Sequence, residues 1–138
     1  MKSCRRMSQL VATTIAAVML LSLAVIFHSH VAEAATTYLI NWVPGVSGGQ
    51  LTPMNVTLGD KINFQYDYVL HDVHQLGTQY LYDKCLTSKG DTMWSSGNDT
   101  IQLNVPGWHY FVCGYTQRCV TDGMKIQVNV VKTIRHSI

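Results

Sequence analysis

Glutamate is all but missing from this chain: Glu33 is the only one in 138 residues, and charged residues make up 13%. Of the eight acidic residues, the seven other than Glu33 are aspartates that stand singly along the sequence. No pair of carboxylates is therefore set up for general acid–base work. There is no His-Glu-x-x-His helix and no glycine loop suited to phosphate. Catalysis is not expected. Proline is scarce, at three residues, and no repeat, charge block or linker divides the chain. After Lys132 no apolar tail follows, which excludes a GPI signal and a C-terminal membrane span.

The excess of positive charge lies at the very start. Lys2, Arg5 and Arg6 precede an apolar run from Leu10 to Phe27, and Ala32-Glu33-Ala34 puts small residues where a signal peptidase inspects them. Residues 1–34 thus read as a signal peptide cut after Ala34. An uncleaved anchor is the competing reading, since the run approaches the roughly 18 residues that begin to span a bilayer. Removing residues 1–34 takes away three of ten basic and one of eight acidic residues, leaving seven of each. A neutral remainder has no electrostatic footprint for nucleic acid or an anionic membrane. Its 104 residues (138 − 34) suit one domain with a modest core, residues 35–131, followed by a short tail, 132–138.

Cysteine use agrees with secretion. Cys4 leaves with the signal; Cys85, Cys113 and Cys119 remain, enough for one bridge and one spare thiol in an oxidising compartment. Two sequons, Asn55-Val-Thr57 and Asn98-Asp-Thr100, offer glycosylation sites.

Period-2 alternation dominates the rest. Ile62, Phe64 and Tyr66 alternate with polar residues, as do Ile101, Leu103 and Val105, and Met124, Ile126, Val128 and Val130. Trp108–Cys113 is apolar on both faces, as a central strand should be, with Cys113, Phe111 and His109 on one face. Turn signals punctuate these runs at Pro44-Gly45, Gly48-Gly49, Gly59-Asp60, Gly97-Asn98 and Pro106-Gly107. Only Gln79–Cys85 suggests a helical turn. The pattern predicts an all-β, antiparallel Greek-key sandwich with one short helical segment.

The stretch Cys113-Gly-Tyr-Thr-Gln-Arg-Cys-Val-Thr-Asp-Gly-Met124 places thiol and thioether sulfur on a short loop between apolar strands. Soft sulfur donors of this kind prefer copper to hard cations. His71 is the nitrogen donor upstream. On pattern alone, Met124 reads more readily as a core methionine than as a ligand, and His71 as an ordinary loop histidine. His74 has the opposite strand parity to His71 and should face away; His109 lies deeper in the sandwich, and His136 falls in the tail.

Several segments together resemble the phytocyanins, the plant branch of the cupredoxins. They are Leu58-Gly-Asp-Lys-Ile-Asn-Phe-Gln-Tyr66, His71-Asp-Val73, Ser96-Gly-Asn-Asp-Thr-Ile-Gln-Leu103, Tyr110-Phe-Val-Cys-Gly114 and Gly123-Met-Lys-Ile126. The last is most similar to the plantacyanin (basic blue protein) branch. The resemblance implies a copper protein that passes single electrons, with His71, Cys113 and Met124 as metal ligands and Asp72 bracing the cysteine loop. It also implies a Cys85–Cys119 bridge that leaves Cys113 free; a Cys113–Cys119 bridge is the alternative and would destroy the site. Where the family has its second histidine ligand this chain has Arg118, and the His71–Cys85 and Cys119–Met124 spacings are each one residue longer than usual. Arginine stays protonated and has no lone pair to give. The remaining set is one imidazole, one thiolate and one thioether, an incomplete type 1 site expected to favour Cu(I) over Cu(II). The resemblance further implies a monomer in the apoplast or cell wall that meets a small redox protein or an extracellular-matrix component. Its early-nodulin-like relatives suggest the other reading, a copper-free recognition module.

Overall fold

The computed structural model describes residues 34–45 and 54–132. The signal-peptide reading, apart from Ala34, and the tail beyond Lys132 lie outside these residues.

Alternation sets the strands: β1 Thr37–Asn41, β2 Met54–Thr57, β3 Lys61–Gln65, β4 Val73–Leu76, β5 Thr92–Trp94, β6 Asn98–Gln102, β7 Gly107–Val112 and β8 Lys125–Val131. In β3, Ile62 and Phe64 are buried; in β8, Ile126, Val128 and Val130 are. The strands form two sheets, one in the order β1-β3-β6 and one in the order β2-β8-β7-β4-β5. The two-sheet sandwich is as expected. Its pairing is not purely antiparallel, because β1 runs parallel to β3 and β2 parallel to β8. The physical reason is a change of sheet. The chain leaves β1, adds β2 to the other sheet and returns as β3, so β3 re-enters in the direction β1 took. Val105, which the alternation placed with Ile101 and Leu103, is exposed, since β6 ends at Gln102.

Ile40, Trp42, Phe64, Phe111, Cys113, Met124 and Ile126 meet in one cluster between the sheets. Trp42 stands edge-on to Phe64, with ring centroids 5.1 Å apart, and Phe64 lies 5.3 Å from Phe111. Burying a side chain of this size stabilises the fold by about 1.5–3 kcal/mol. A second cluster, Leu76, Tyr82, Cys85, Tyr110, Val112 and Cys119, covers the outer face of the larger sheet. The two clusters explain why β7 is apolar on both sides.

The sequence led us to expect one short helical segment; there are two among the described residues. The first, α1, spans Gln79–Lys84, with the Thr78 hydroxyl accepting from Leu81 N–H. It ends on Cys85, the one described non-glycine residue at positive φ (52°). The second, α2, spans Thr116–Val120 inside the Cys113–Met124 loop. It is short, has β-branched residues at both ends and no side-chain cap, so its sequence carries no helix signal. A disulfide from Cys119 to Cys85 ties it to the end of α1.

Candidate metal centre

His71 sits between β3 and β4 at the end of a turn organised by Asp67. The Asp67 carbonyl accepts from Leu70 and His71 N–H at 3.1 and 3.0 Å, and its carboxylate accepts from Val69 N–H at 2.9 Å. The imidazole is 6% exposed. Its Nδ1 is buried and meets no hydrogen-bonding group of the described residues. Burial lowers the pKa of His71, and the positive charge of Arg118 lowers it further, against the opposing pull of Asp67, Asp72 and Asp122. The ring is therefore held neutral, with a lone pair to give.

Asp72 is the brace of the site. Its carbonyl accepts from the buried Trp42 indole N–H at 2.8 Å. One carboxylate oxygen accepts from Gly114 N–H at 2.6 Å and faces the Cys113 thiol at 3.6 Å. The loop carrying Cys113 is thus fastened to the segment carrying His71. Cys113 N–H donates to the Met124 carbonyl and Met124 N–H to the Arg118 carbonyl, both at 2.9 Å. Met124 is fully buried and shares the inner cluster with Cys113. Among the described residues Cys113 is the free cysteine, and Cys85–Cys119 is the bridge. Burial pushes the Cys113 thiol up, so a metal ion must displace a proton from it.

Arg118 lies in α2 and is ion-paired with Asp122 at 2.7 Å, one helical turn on. No group of three or more His, Cys, Asp and Glu side chains comes together among the described residues. The soft and nitrogen donors that the fold links through Asp72 and the inner cluster are the His71 imidazole, the Cys113 thiol and the Met124 thioether. A buried imidazole nitrogen without a partner, a free buried thiol and a buried thioether suit a soft ion such as Cu(I). They lack the second imidazole of a blue copper site.

The remaining site residues stand apart. Asn55 is exposed on β2 and Asn98 on β6, each at the edge of its sheet. Their side-chain oxygens accept from Asn129 (3.2 Å) and Asn63 (2.8 Å). His109 is engaged by Gln75 at 2.9 Å and the Val105 carbonyl at 2.7 Å. The sequence reading missed Trp42, although Ile40 and Trp42 continue a period-2 run.

A plastocyanin-like domain model matches residues 52–124. The chain belongs to the phytocyanins. It is 32% identical over 120 residues to blue copper protein 1b of Medicago truncatula, covering 83% of this chain and 73% of that protein. It is 36% identical over 76 residues to early nodulin-like protein 22 of Arabidopsis thaliana, covering 53% and 51% of the two chains. Among solved structures it is similar to the cucumber basic protein, a blue copper protein, with a TM-score of 0.60 and 29% identity over 70% of this chain and all of that one. As a phytocyanin it has the cupredoxin-like sandwich with its cysteine loop at one end.

Proposed function

We propose that this phytocyanin is a secreted, extracellular copper protein that holds copper through His71, Cys113 and Met124 and passes single electrons or stores the ion. The observation that carries the reading is the buried, unpartnered Nδ1 of His71, on a segment that Asp72 fastens to the Cys113 loop. A polar nitrogen in that position loses its water on folding and gains nothing unless an ion or proton takes the lone pair. With Arg118 in the second histidine position, the set favours Cu(I) over Cu(II). Copper, when bound, supplies a one-electron couple; the chain supplies a dry pocket and a neutral imidazole. The blue copper name of the Medicago truncatula relative supports this reading, as does the similarity to the cucumber protein.

Secretion rests on the signal-like residues 1–34, and Asn55 and Asn98 are then open to glycosylation. No helix among the described residues is long and apolar enough to cross a membrane. Tyr68, Val69 and Leu70 beside His71, and Tyr115 and Val120 beside Arg118, are exposed. They offer a monomer an apolar face for a small redox protein or a matrix component. The protein acts as a carrier, not an enzyme.

Metal analysis after anaerobic loading with Cu(I), and separately with Cu(II), tests the reading. One equivalent of Cu(I), lost in H71A and C113A, is expected. No retained copper in either state would leave the second reading, a copper-free extracellular recognition module. Arg118 and its ion pair with Asp122 favour that alternative, and so does the early nodulin-like relative.

A further inference from the structure

His74 lies on the outer face of the larger sheet, directly across from Val112 on one side and Met93 on the other. Its side chain is wedged against Gly114, where a Cβ would collide with the ring. Its Nε2 lies 3.3 Å from the second carboxylate oxygen of Asp72. A carboxylate only accepts, so in the neutral form of the ring this contact places the proton on Nε2 and the lone pair on Nδ1. That Nδ1 is buried and has no hydrogen-bond partner among the described residues. What faces it, at 4.0 Å, is a carboxylate oxygen of Asp91. Two electron-pair donors thus point at each other across a gap too long for a hydrogen bond.

The surroundings favour a cation in that gap. A tetrahedral ion with metal–nitrogen and metal–oxygen bonds of about 2.0–2.2 Å holds its donors about 3.3–3.6 Å apart, so binding would draw Asp91 and His74 together by about half an ångström. The Asp91 side chain is 9% exposed and is oriented by Ser88, whose N–H and hydroxyl donate to it at 2.6 and 3.0 Å. A carboxylate holding the far side of a histidine ring is the arrangement that fixes tautomer and raises basicity at metal sites. The two buried ends open onto a groove of about 480 Å³ lined by His74, Thr87, Ser88, Lys89, Asp91 and Met93. Two carboxylates, Asp72 and Asp91, face the one imidazole, and a dication would balance their charge, while Lys89 stands exposed at the rim.

We infer that His74 Nδ1 and Asp91 form a second metal site for a borderline divalent ion, Zn²⁺ or Cu²⁺, with the Met93 thioether and water from the groove completing its shell. It is separate from the His71–Cys113–Met124 centre, and Asp72 touches both. The test follows the imidazole signals of the folded, disulfide-bonded chain by NMR as Zn²⁺ is added. The His74 signal should shift saturably in wild type and equally in C113S. The shift should vanish in H74Q and need at least about tenfold more Zn²⁺ in D91N. D91N keeps the acceptor oxygen toward Ser88, so it decides the matter should H74Q not fold. A His74 signal unmoved by millimolar Zn²⁺, or responding only to pH, overturns the inference. So does a shift that D91N leaves unchanged or that C113S abolishes.

Discussion

Arg118→His is the change that most directly probes the history of the metal centre. The cost to the fold can be worked out from the structure. The guanidinium makes one ion pair, with Asp122 at i+4 just past the end of α2, and its side chain is 40% exposed. An exposed i,i+4 pair contributes about 0.3–0.5 kcal/mol. For a domain of this size that loss lowers Tm by about 1–4 °C. The backbone role of residue 118, its carbonyl accepting from Met124 N–H, does not depend on the side chain. The substitution also removes a positive charge that holds the His71 pKa down. In return the chain gains an imidazole at the position where the family resemblance puts the second histidine ligand. On adding Cu(II), R118H is expected to develop the intense sulfur-to-copper charge-transfer absorption of a blue site, while wild type stays nearly colourless. Visible absorption and electron paramagnetic resonance read the outcome, and thermal melts confirm that the variant is folded. A wild type that is itself strongly blue would refute the reasoning. An R118H protein that melts within a few degrees of wild type, yet stays colourless, would also count against it.

Three other outcomes are expected. Replacing Cys85 and Cys119 by serine opens a loop with a sequence separation of 34, and chain entropy then predicts a loss of about 3–4 kcal/mol in urea unfolding. Gly114→Ala would force a Cβ into His74 and the Asp72 carboxylate, 2.8 Å away in the latter case; a loss of about 1–3 kcal/mol by denaturant melts and weaker Cu(I) retention should follow. Asp99 gives a pH signature. Burial alone would raise its pKa, but the Tyr66 and Ser96 hydroxyls and the Ser96 and Gly97 backbone amides hold it below the usual aspartate value. A carboxylate held low contributes stability above its unfolded pKa and loses it as pH falls through the folded one, so wild type should weaken below about pH 4 and D99N should do so less steeply.

The sandwich was legible because alternation along β3, β6 and β8 states which side of each strand is buried. Alternation carries no strand direction, so the parallel pairs β1–β3 and β2–β8 had no signature. The helix α2 was hidden for another reason. Its five residues hold their shape through the Cys119 bridge and backbone bonds to Tyr115, a tertiary effect that propensity cannot show. At the metal centre, residue types alone could not separate a ligand methionine from a core one, and Met124 is indeed fully buried. His71, Asp72, Cys113 and Met124 became a group only through the family pattern. The His74–Asp91 gap was unreadable, since it joins a β4 residue to the one just before β5, and their closeness depends on the β4–β5 register. The contact of His74 with Asp72 was missed.

The parallel pairing of β2 with β8 also bears on how the chain reaches its native state. Asn55 meets Asn129, 74 residues later, so β2 has no partner until the last strand is made. Folding dominated by such distant contacts is slow, on the millisecond-to-second scale. Until β8 arrives, Cys113 lacks the Met124 carbonyl that fixes its backbone, and Cys119 is its nearer neighbour in the chain. Sequence proximity then favours the wrong bridge, while burial favours the right one. The order of strand docking and oxidation becomes a race. Refolding in strong oxidant should trap Cys113–Cys119, and slow oxidation after the sandwich closes should yield Cys85–Cys119.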